Sequence, residues 1–161
     1  MDLEQDKYSN FFEDSGCRTI GVELSSNMCA ECSKESPKSI IINDNIENIE
    51  FYREQFNMIY MGALIHLFPL ESAENLMSRI WQWLKPSGCI FINTTCNNSS
   101  YEGYYYKDDY SKREKRFRRY WQEEDFQAFV INSGFSIVEK LYTNEIDTQK
   151  RWVAFIAKKE G

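Results

Sequence analysis

The sequence predicts an α/β protein with a mainly parallel sheet, helices on both faces and an antiparallel hairpin at the C-terminal end. Three patterns lead to this prediction: continuous apolar runs of strand length, amphipathic helix-length segments between them, and two final β-rich runs, FSIVEKLYT and RWVAFIAKK, joined by the polar NEIDTQK. Strands that alternate with helices are connected by right-handed crossovers and form parallel sheets covered on both sides.

The first third of the chain contains two strands and two helices by these criteria. Residues 3–15 place apolar side chains on one helical stripe, which Gly16 would end. The run CRTIGVEL predicts a strand, and Ser25 and Ser26 then cap a helix that ends near Ser36. The apolar run KSIIIND predicts a strand buried on both faces.

The alternation continues through the middle of the chain. FNMIYMGALIHLF predicts a strand at about residues 58–61, a turn and a short helical piece, and AENLMSRIWQWLKPSG an amphipathic helix closed by Pro86 and Gly88. CIFINTT is a further buried strand. Residues 97–120 interrupt the pattern with polar and aromatic residues before QEEDFQAFVINSG resumes it as a helix.

Composition limits the class of protein. A chain of 161 residues is the size of one domain, so residues 1–161 are expected to fold as a single unit. A formal net charge of −6 argues against a general nucleic-acid binder. No apolar stretch approaches a membrane span, and the acidic start MDLEQDKYSN does not resemble a signal peptide. A cytoplasmic protein is therefore expected.

Cysteine usage favours reduced thiols. The five cysteines are an odd number without a secretory signal, which does not suggest a disulfide framework. Cys29 and Cys32 form a C-x-x-C motif, but it lacks a second pair of ligands, and His66 is the only histidine of the chain. We therefore predict two ordinary thiols on a helix and no metal site.

Four stretches together resemble the class I S-adenosylmethionine-dependent methyltransferases. GCRTIGVELSSNM looks like the family's second strand and helix cap, FNMIYMGALIHLF like its fourth strand and turn, WLKPSGCIFINTT like the turn into its fifth strand, and WQEEDFQAFVINSGFSIVEK like the following helix and sixth strand. The resemblance spans residues 7–159 and implies a Rossmann-like sheet. Asn57 and Ser87 depart from the usual residues, without consequence for the fold.

The resemblance also implies a set of cofactor contacts. Glu23 matches the acidic residue that accepts hydrogen bonds from both ribose hydroxyls, and Leu24 would then lie against the adenine or ribose. Asp44 resembles the acceptor for the adenine amino group, with the backbone of Asn45 beside the ring. A solvated carboxylate at position 23 and an Asx turn at position 44 are the structural alternatives.

Two further assignments follow from the fourth strand of the family. Met61 and Gly62 would meet the methionyl end of the cofactor through their backbone carbonyls. His66 occupies a turn in which many family members carry a histidine, where it would serve as a base or contact the substrate. A packed or capping histidine is the alternative. No catalytic residue is assigned.

The glycine-rich turn of the family is missing from this sequence. In the family the first strand ends in D-x-G-x-G-x-G, which lets the backbone approach the cofactor closely. Before Gly16 this chain offers only MDLEQDKYSNFF. We therefore expect an N-terminally shortened domain. In the family the first strand lies between the second and fourth strands. Without it, the second and fourth strands would pair directly, or a second copy or a partner chain would supply a strand.

Residues 97–120 form a substrate-side insert by the same resemblance. Tyr104, Tyr105 and Tyr106 precede a cluster of six lysines and arginines between residues 112 and 119. The tyrosines could enclose an amine or stack on a planar acceptor. The alternatives are a charged helical face kept in water, and a strip that binds single-stranded nucleic acid.

The main hypothesis is a methyltransferase-like protein that uses S-adenosylmethionine and transfers a methyl group to an unidentified small-molecule or peptide acceptor. The loss of the glycine-rich turn could impair this activity. The alternative is a non-catalytic, degenerate methyltransferase fold that acts as an interaction or oligomerisation partner, for instance as a homodimer. A nucleic-acid-binding role is the least favoured.

Overall fold

The computed structural model describes residues 11–106, 115–145 and 150–161. Contacts within the chain divide it into two compact units, one ending at Glu50 and the other spanning Phe51–Gly161. The beginning of the expected N-terminal helix falls on residues 1–10, and the beginning of the basic cluster on residues 107–114; both ranges lie outside the described residues. Residues 11–14 are helical, and Gly16 follows them with a φ of 79°.

The first unit contains two parallel strands joined by a helix. Strand β1 (Ile20–Glu23) leads into α1 (Ser26–Glu35), which is followed by β2 (Ile40–Asn43) and a 3-10 turn at Ile46–Asn48. The Ser25 hydroxyl caps α1 by accepting a hydrogen bond from the Met28 N–H at 3.4 Å. The first strand, the cap and the helix agree with the sequence prediction. Strand β2 is present, but the expectation that it is buried on both faces is wrong, because Ile40 is 61% exposed.

The second unit is built on a four-stranded sheet in the order β3-β4-β8-β7. Strand β3 (Phe56–Met61) pairs in parallel with β4 (Leu84–Cys96), and the two are connected by a 3-10 turn at Ile65–Leu67 and α2 (Leu70–Trp83). The final strands β7 (Phe135–Glu145) and β8 (Lys150–Lys159) are antiparallel, as predicted. The α/β class is therefore confirmed.

The structure of residues 101–106 and 115–120 contradicts one of the alternatives that the sequence left open for the insert. The described part of the basic stretch, residues 115–119, is not a charged helical face, because β5 (Tyr101–Tyr106) and β6 (Lys115–Tyr120) form an antiparallel pair. Aromatic side chains on both strands favour extended backbone and pack in cross-strand pairs. Helix α3 (Glu123–Asn132) then connects β6 to β7.

Helix α2 ends several residues before Pro86 and Gly88, which the sequence analysis expected to close it. The helix stops at Trp83, and β4 begins directly at Leu84, before the Lys-Pro-Ser-Gly turn. Ser87 adopts a φ of 63°, in the left-handed region that glycine usually occupies. Among the described residues, none of the helices has the length and apolar character that a membrane span requires.

The core of the second unit lies between the sheet and its helices. One stripe of α2 is buried at spacings of three and four residues (Ala73, Leu76, Met77 and Ile80). On α3, Phe126 stacks against Phe155 of β8 with ring centroids 4.9 Å apart. This packing holds β4 and β8 in place.

Candidate functional site

Two acidic residues lie at the same end of the sheet in the first unit. Glu23 closes β1 and is aligned with Asn43, the last residue of β2, and Asp44 follows directly. Because the strands are parallel, both carboxylates leave the sheet at its carboxyl edge. Ligands bind at this edge in open α/β sheets.

The Glu23 carboxylate has one oxygen occupied and one available. Its Oε1 accepts a hydrogen bond from the backbone N–H of Ser25 at 2.7 Å, which fixes the side chain beside the start of α1. The second oxygen has no hydrogen-bond partner among the described residues. A carboxylate in this state can still accept from a ligand hydroxyl.

Asn43 fixes the end of β1, a role that the sequence analysis did not identify. Its Nδ2 donates to the carbonyl oxygens of Glu23 at 2.8 Å and Leu24 at 3.0 Å, and its Oδ1 accepts from the Ser26 hydroxyl at 2.8 Å. In the sequence, Asn43 stands at the end of the apolar run KSIIIND, where an asparagine indicates a turn. Its amide instead links the two strand ends and α1.

Asp44 and Asn45 form the turn that follows β2. Asp44 Oδ1 accepts from the Asn45 N–H at 2.6 Å and from Asn48 Nδ2 at 3.1 Å, while Asn45 Oδ1 accepts from the Glu47 N–H at 3.1 Å. The Asx-turn alternative is therefore present in the structure. It leaves the second oxygen of Asp44 without a partner among the residues described, so a ligand contact is compatible with it.

Leu24 is 71% exposed next to these carboxylates. A large apolar side chain with this exposure gains free energy when a flat apolar ring covers it. The first unit therefore presents an apolar surface with carboxylate acceptors beside it. This combination fits the adenosine part of S-adenosylmethionine, which has a planar ring, an amino donor and two hydroxyl donors.

The turn after β3 is held by Asn93 of β4. Asn93 Oδ1 accepts a hydrogen bond from the Ala63 N–H at 2.5 Å, and Ala63 adopts a φ of 53°. Gly62 is required beside it, since a Cβ there would lie 2.7 Å from Cε1 of Tyr60. Met61 is buried at the end of β3, so this turn presents mainly backbone to its surroundings.

His66 is buried in the second unit, with 3% of its surface exposed. Its Nδ1 lies 3.3 Å from the Thr94 hydroxyl, and its ring packs 6.1 Å from that of Trp152. Burial, together with the positive charges of Arg118 and Lys150, lowers the pKa of His66 from 6.5 to about 3. The imidazole is therefore neutral at physiological pH.

The strands β5 and β6 form a two-stranded sheet with distinct faces. Successive side chains of a strand point to opposite sides, and the register pairs Tyr101 with Tyr120, Gly103 with Arg118 and Tyr105 with Arg116. We call the side that carries these six residues the tyrosine–arginine face. Its rings are in contact: Tyr101 stacks on Tyr120 at 4.6 Å, and Tyr105 meets Tyr120 edge-on at 5.5 Å.

Arg118 connects this face to the end of β4. Its Nη2 donates to the Thr95 hydroxyl at 2.9 Å, and its guanidinium carbon lies 5.5 Å from the centre of the Tyr120 ring. The Nε atom is buried and has no hydrogen-bond partner among the described residues. The sequence placed Arg118 in a basic cluster without distinguishing it from its neighbours.

The predicted substrate-side tyrosines are divided between the two faces. Tyr105 lies on the tyrosine–arginine face, where partial desolvation and then the phenols of Tyr101 and Tyr120 raise its pKa. Tyr104 and Tyr106 lie on the opposite face, 67% and 59% exposed. The structure therefore brings Tyr105, but not its two neighbours, to the same face as Arg118.

The chain belongs to the methyltransferase domain family. The family model matches residues 5–92, more than half of the chain. Together with the α/β fold and the acidic residues at the strand ends, this identifies the protein as a class I S-adenosylmethionine-dependent methyltransferase by family. S-adenosylmethionine is the cofactor of that class.

Curated relatives match about half of the chain. It is 33% identical over 88 residues to phosphoethanolamine N-methyltransferase of Plasmodium falciparum, and 22% identical over 91 residues to malonyl-[acyl-carrier protein] O-methyltransferase of Enterobacter lignolyticus. These matches cover 52% and 56% of this chain. The chain spans only about a third of either relative, 33% and 36%.

Solved structures share the fold over nearly the whole chain. A 1,6-didemethyltoxoflavin-N1-methyltransferase from Burkholderia thailandensis, with 1,6-didemethyltoxoflavin and S-adenosylhomocysteine bound, aligns with a TM-score of 0.78 at 14% identity, covering 94% of this chain and 65% of that one. A methyltransferase from Methanosarcina mazei aligns with a TM-score of 0.77 at 12% identity, covering 95% and 85%. At these identities the similarity establishes the fold alone.

Proposed function

We propose that this chain binds S-adenosylmethionine and takes part in methyl transfer to a small acceptor. The observation that carries the proposal is the Glu23 carboxylate, which ends a parallel strand with one oxygen tied to the Ser25 N–H and the other available. Such a group is preorganised for a ribose hydroxyl, because its position does not depend on the ligand.

The adenosine end is assigned to the first unit. Glu23 would accept from the ribose hydroxyls, Asp44 from the adenine amino group, and Leu24 and the Asn45 backbone would lie against the ring. The hydrogen bonds of Asn43 support this assignment because they hold the ends of β1 and β2 together.

In the second unit we assign backbone contacts to Met61 and Gly62. The Asn93–Ala63 hydrogen bond supports this role by fixing the conformation of the turn. The cofactor, when bound, would supply a methyl group on a positively charged sulfur for in-line transfer to a nucleophile, and an amine acceptor would first lose its proton to water. The chain would therefore act mainly by positioning the reactants.

His66 has a limited role in this scheme. A neutral imidazole with a pKa of about 3 has little affinity for a proton. We assign it to positioning Thr94 at the end of β4. Tyr105 is a better candidate for contact with the acceptor than Tyr104 or Tyr106, because only Tyr105 shares the face that carries Arg118.

The relatives suggest acceptors to try. The Plasmodium relative is named for phosphoethanolamine and the Enterobacter relative for a malonyl carrier protein, so one acceptor carries a phosphate and the other a carboxylate. We propose an acceptor with an anionic group, and phosphoethanolamine is the first compound to test.

A non-catalytic interaction role is the second candidate. Strand β3 forms one edge of the four-stranded sheet in its unit, with Met58 39% exposed. Such an edge can pair with a strand of another molecule, including a second copy. In this case the fold would persist without affinity for the cofactor.

Calorimetric titration with S-adenosylhomocysteine separates the two candidates. Glu23→Gln retains an oxygen that can accept from the Ser25 N–H but removes the charge, so we expect the affinity to fall about tenfold to a hundredfold. Glu31→Gln is the matched control, since Glu31 is exposed on α1 and pairs with Lys34. An absence of binding by the folded wild-type protein would favour the interaction role.

A further inference from the structure

Arg118 is a partly buried cation without a carboxylate partner in the described part of the chain. Its hydrogen bond to the neutral hydroxyl of Thr95 and its contact with the Tyr120 ring leave the positive charge uncompensated. Its Nε–H is buried and unpaired. A buried charge without a counter-ion is unfavourable, which suggests that an anion completes this site when the protein is working.

The adjacent Arg119 shows how the charge of a partly buried arginine is usually balanced, which is by a carboxylate. Arg119 lies on the other face of the hairpin, donates to Glu102 Oε2 at 2.6 Å and packs over the Trp121 ring at 4.2 Å. Both arginines belong to the same strand and are partly buried. The Nε atoms of both arginines are buried without a hydrogen-bond partner among the described residues. The difference between them is that the charge of Arg119, unlike that of Arg118, is balanced by a described carboxylate.

The groups around Arg118 favour an anion. Lys150 pairs with Glu145 at 3.8 Å, so of the two cations that act on His66, Arg118 is the one without a described carboxylate. The neutral His66 adds no charge of its own. A guanidinium can donate two parallel hydrogen bonds to a carboxylate or phosphate.

The tyrosine–arginine face also supplies a surface for the rest of the ligand. Tyr101, Tyr105 and Tyr120 present contacting rings, and Gly103, directly opposite Arg118, carries no side chain. A side chain at Gly103 would meet the Tyr105 hydroxyl, since a Cβ there would lie 3.1 Å from it. Phenol hydroxyls beside a guanidinium can donate to the same anion.

We propose that Arg118 binds the anionic group, a phosphate or a carboxylate, of the methyl acceptor, whose remaining part lies against the tyrosine–arginine face. The inference rests on the proposed function and adds the chemical class of the acceptor. This proposal differs from the earlier expectation that tyrosines enclose an amine, because here the Arg118 guanidinium of the protein binds an anionic group of the ligand. The carboxylate of the cofactor is the other possible source of the anion.

The test uses inorganic phosphate and malonate as probes, with phosphate followed by its ³¹P NMR signal and both by calorimetry. Each is titrated into the full chain with and without saturating S-adenosylhomocysteine. We expect both forms of the wild-type protein to bind at least one probe. Arg118→Gln should weaken that binding about tenfold or more, while the exposed control Lys158→Gln, which also removes one positive charge, should change it less than about twofold.

A second measurement uses the wild-type protein and therefore does not require a correctly folded variant. Phenylglyoxal modifies accessible arginines, and peptide mapping locates the product. Phosphate or malonate should protect Arg118 from modification while leaving the exposed Arg53, which is not part of the tyrosine–arginine face, reactive. Equal protection of both arginines, or of neither, would contradict the proposal.

Three outcomes of the titrations would overturn it. These are the absence of probe binding by the wild-type protein, equal probe affinity of the Arg118→Gln variant, and a loss of S-adenosylhomocysteine binding in that variant with probe binding unchanged. The last result would assign Arg118 to the cofactor carboxylate. If the wild-type protein binds phosphate through Arg118 but not S-adenosylhomocysteine, the anion site stands and the proposed methyl transfer fails.

Discussion

Lowering the pH from 7 to 5 should destabilise the second unit through a single side chain. His66 is the only histidine of the chain, and it is buried with its pKa lowered from 6.5 to about 3. Burial is the largest cause of this shift, followed by the charges of Arg118 and Lys150. No other side chain has an ordinary pKa between 5 and 7.

The direction follows from proton uptake by the unfolded chain. The folded state keeps the imidazole neutral down to about pH 3, whereas the unfolded state takes up a proton near pH 6.5. Stability is therefore fully present above pH 6.5 and is lost as the pH falls toward 3. Between pH 7 and pH 5 these two pKa values give a loss of about 2 kcal/mol in the free energy of unfolding.

Urea denaturation of the wild-type protein and of His66→Gln at pH 5, 6 and 7 measures this term. All four tryptophans lie in the second unit with His66, so their fluorescence reports on the relevant structure. The difference in unfolding free energy between the two proteins should change by about 2 kcal/mol over this range. Carboxylates and the α-amino group are common to both proteins and cancel.

Two results would refute this reasoning. One is a difference between wild type and His66→Gln that is the same at pH 5 and pH 7. The other is a histidine NMR signal of the folded protein that titrates near pH 6.5, because this would show an imidazole in contact with water.

Three further substitutions test the packing around the site by urea denaturation. Asn93→Ala removes the acceptor for the Ala63 N–H and should cost about 1–3 kcal/mol; an unchanged midpoint would show that the turn does not need this bond. Phe155→Ala empties a fully buried position and should cost about 3–5 kcal/mol, and a loss below 1 kcal/mol would contradict the core described. Gly134→Ala should cost more than about 1 kcal/mol, because φ is 89° and the Cβ would lie 2.9 Å from Trp81 Nε1; a neutral result would show that the indole can move.

Much of the fold could be predicted because it depends on local patterns. The apolar runs at Ile40–Asn43 and Phe56–Met61 are strands, and the serine cap begins α1 where expected. The position of Glu23 at the end of β1 follows from the same reasoning. The contribution of Asn43 could not be predicted, since its amide bridges residues almost twenty positions apart.

The basic insert shows where local reasoning was insufficient. A cluster of charges is compatible with a helix or a strand, and only pairing with the tyrosine-rich strand decides between them. Once β5 and β6 pair, alternation sends Arg118 and Arg119 to opposite faces. The sequence could not show which arginine would meet a carboxylate.

In the sequence by itself, the resemblance of four stretches indicated the methyltransferase class. Strand and cap signals, which act over a few neighbouring residues, predicted the order of the elements outside residues 97–120 and the acidic residues at the ends of the first two strands. The tertiary structure decided the chemical state of the side chains. Burial beside two cations makes His66 a neutral group, and strand register leaves Arg118 without a carboxylate among the described residues. Both effects depend on contacts between residues far apart in the chain, which no local pattern records.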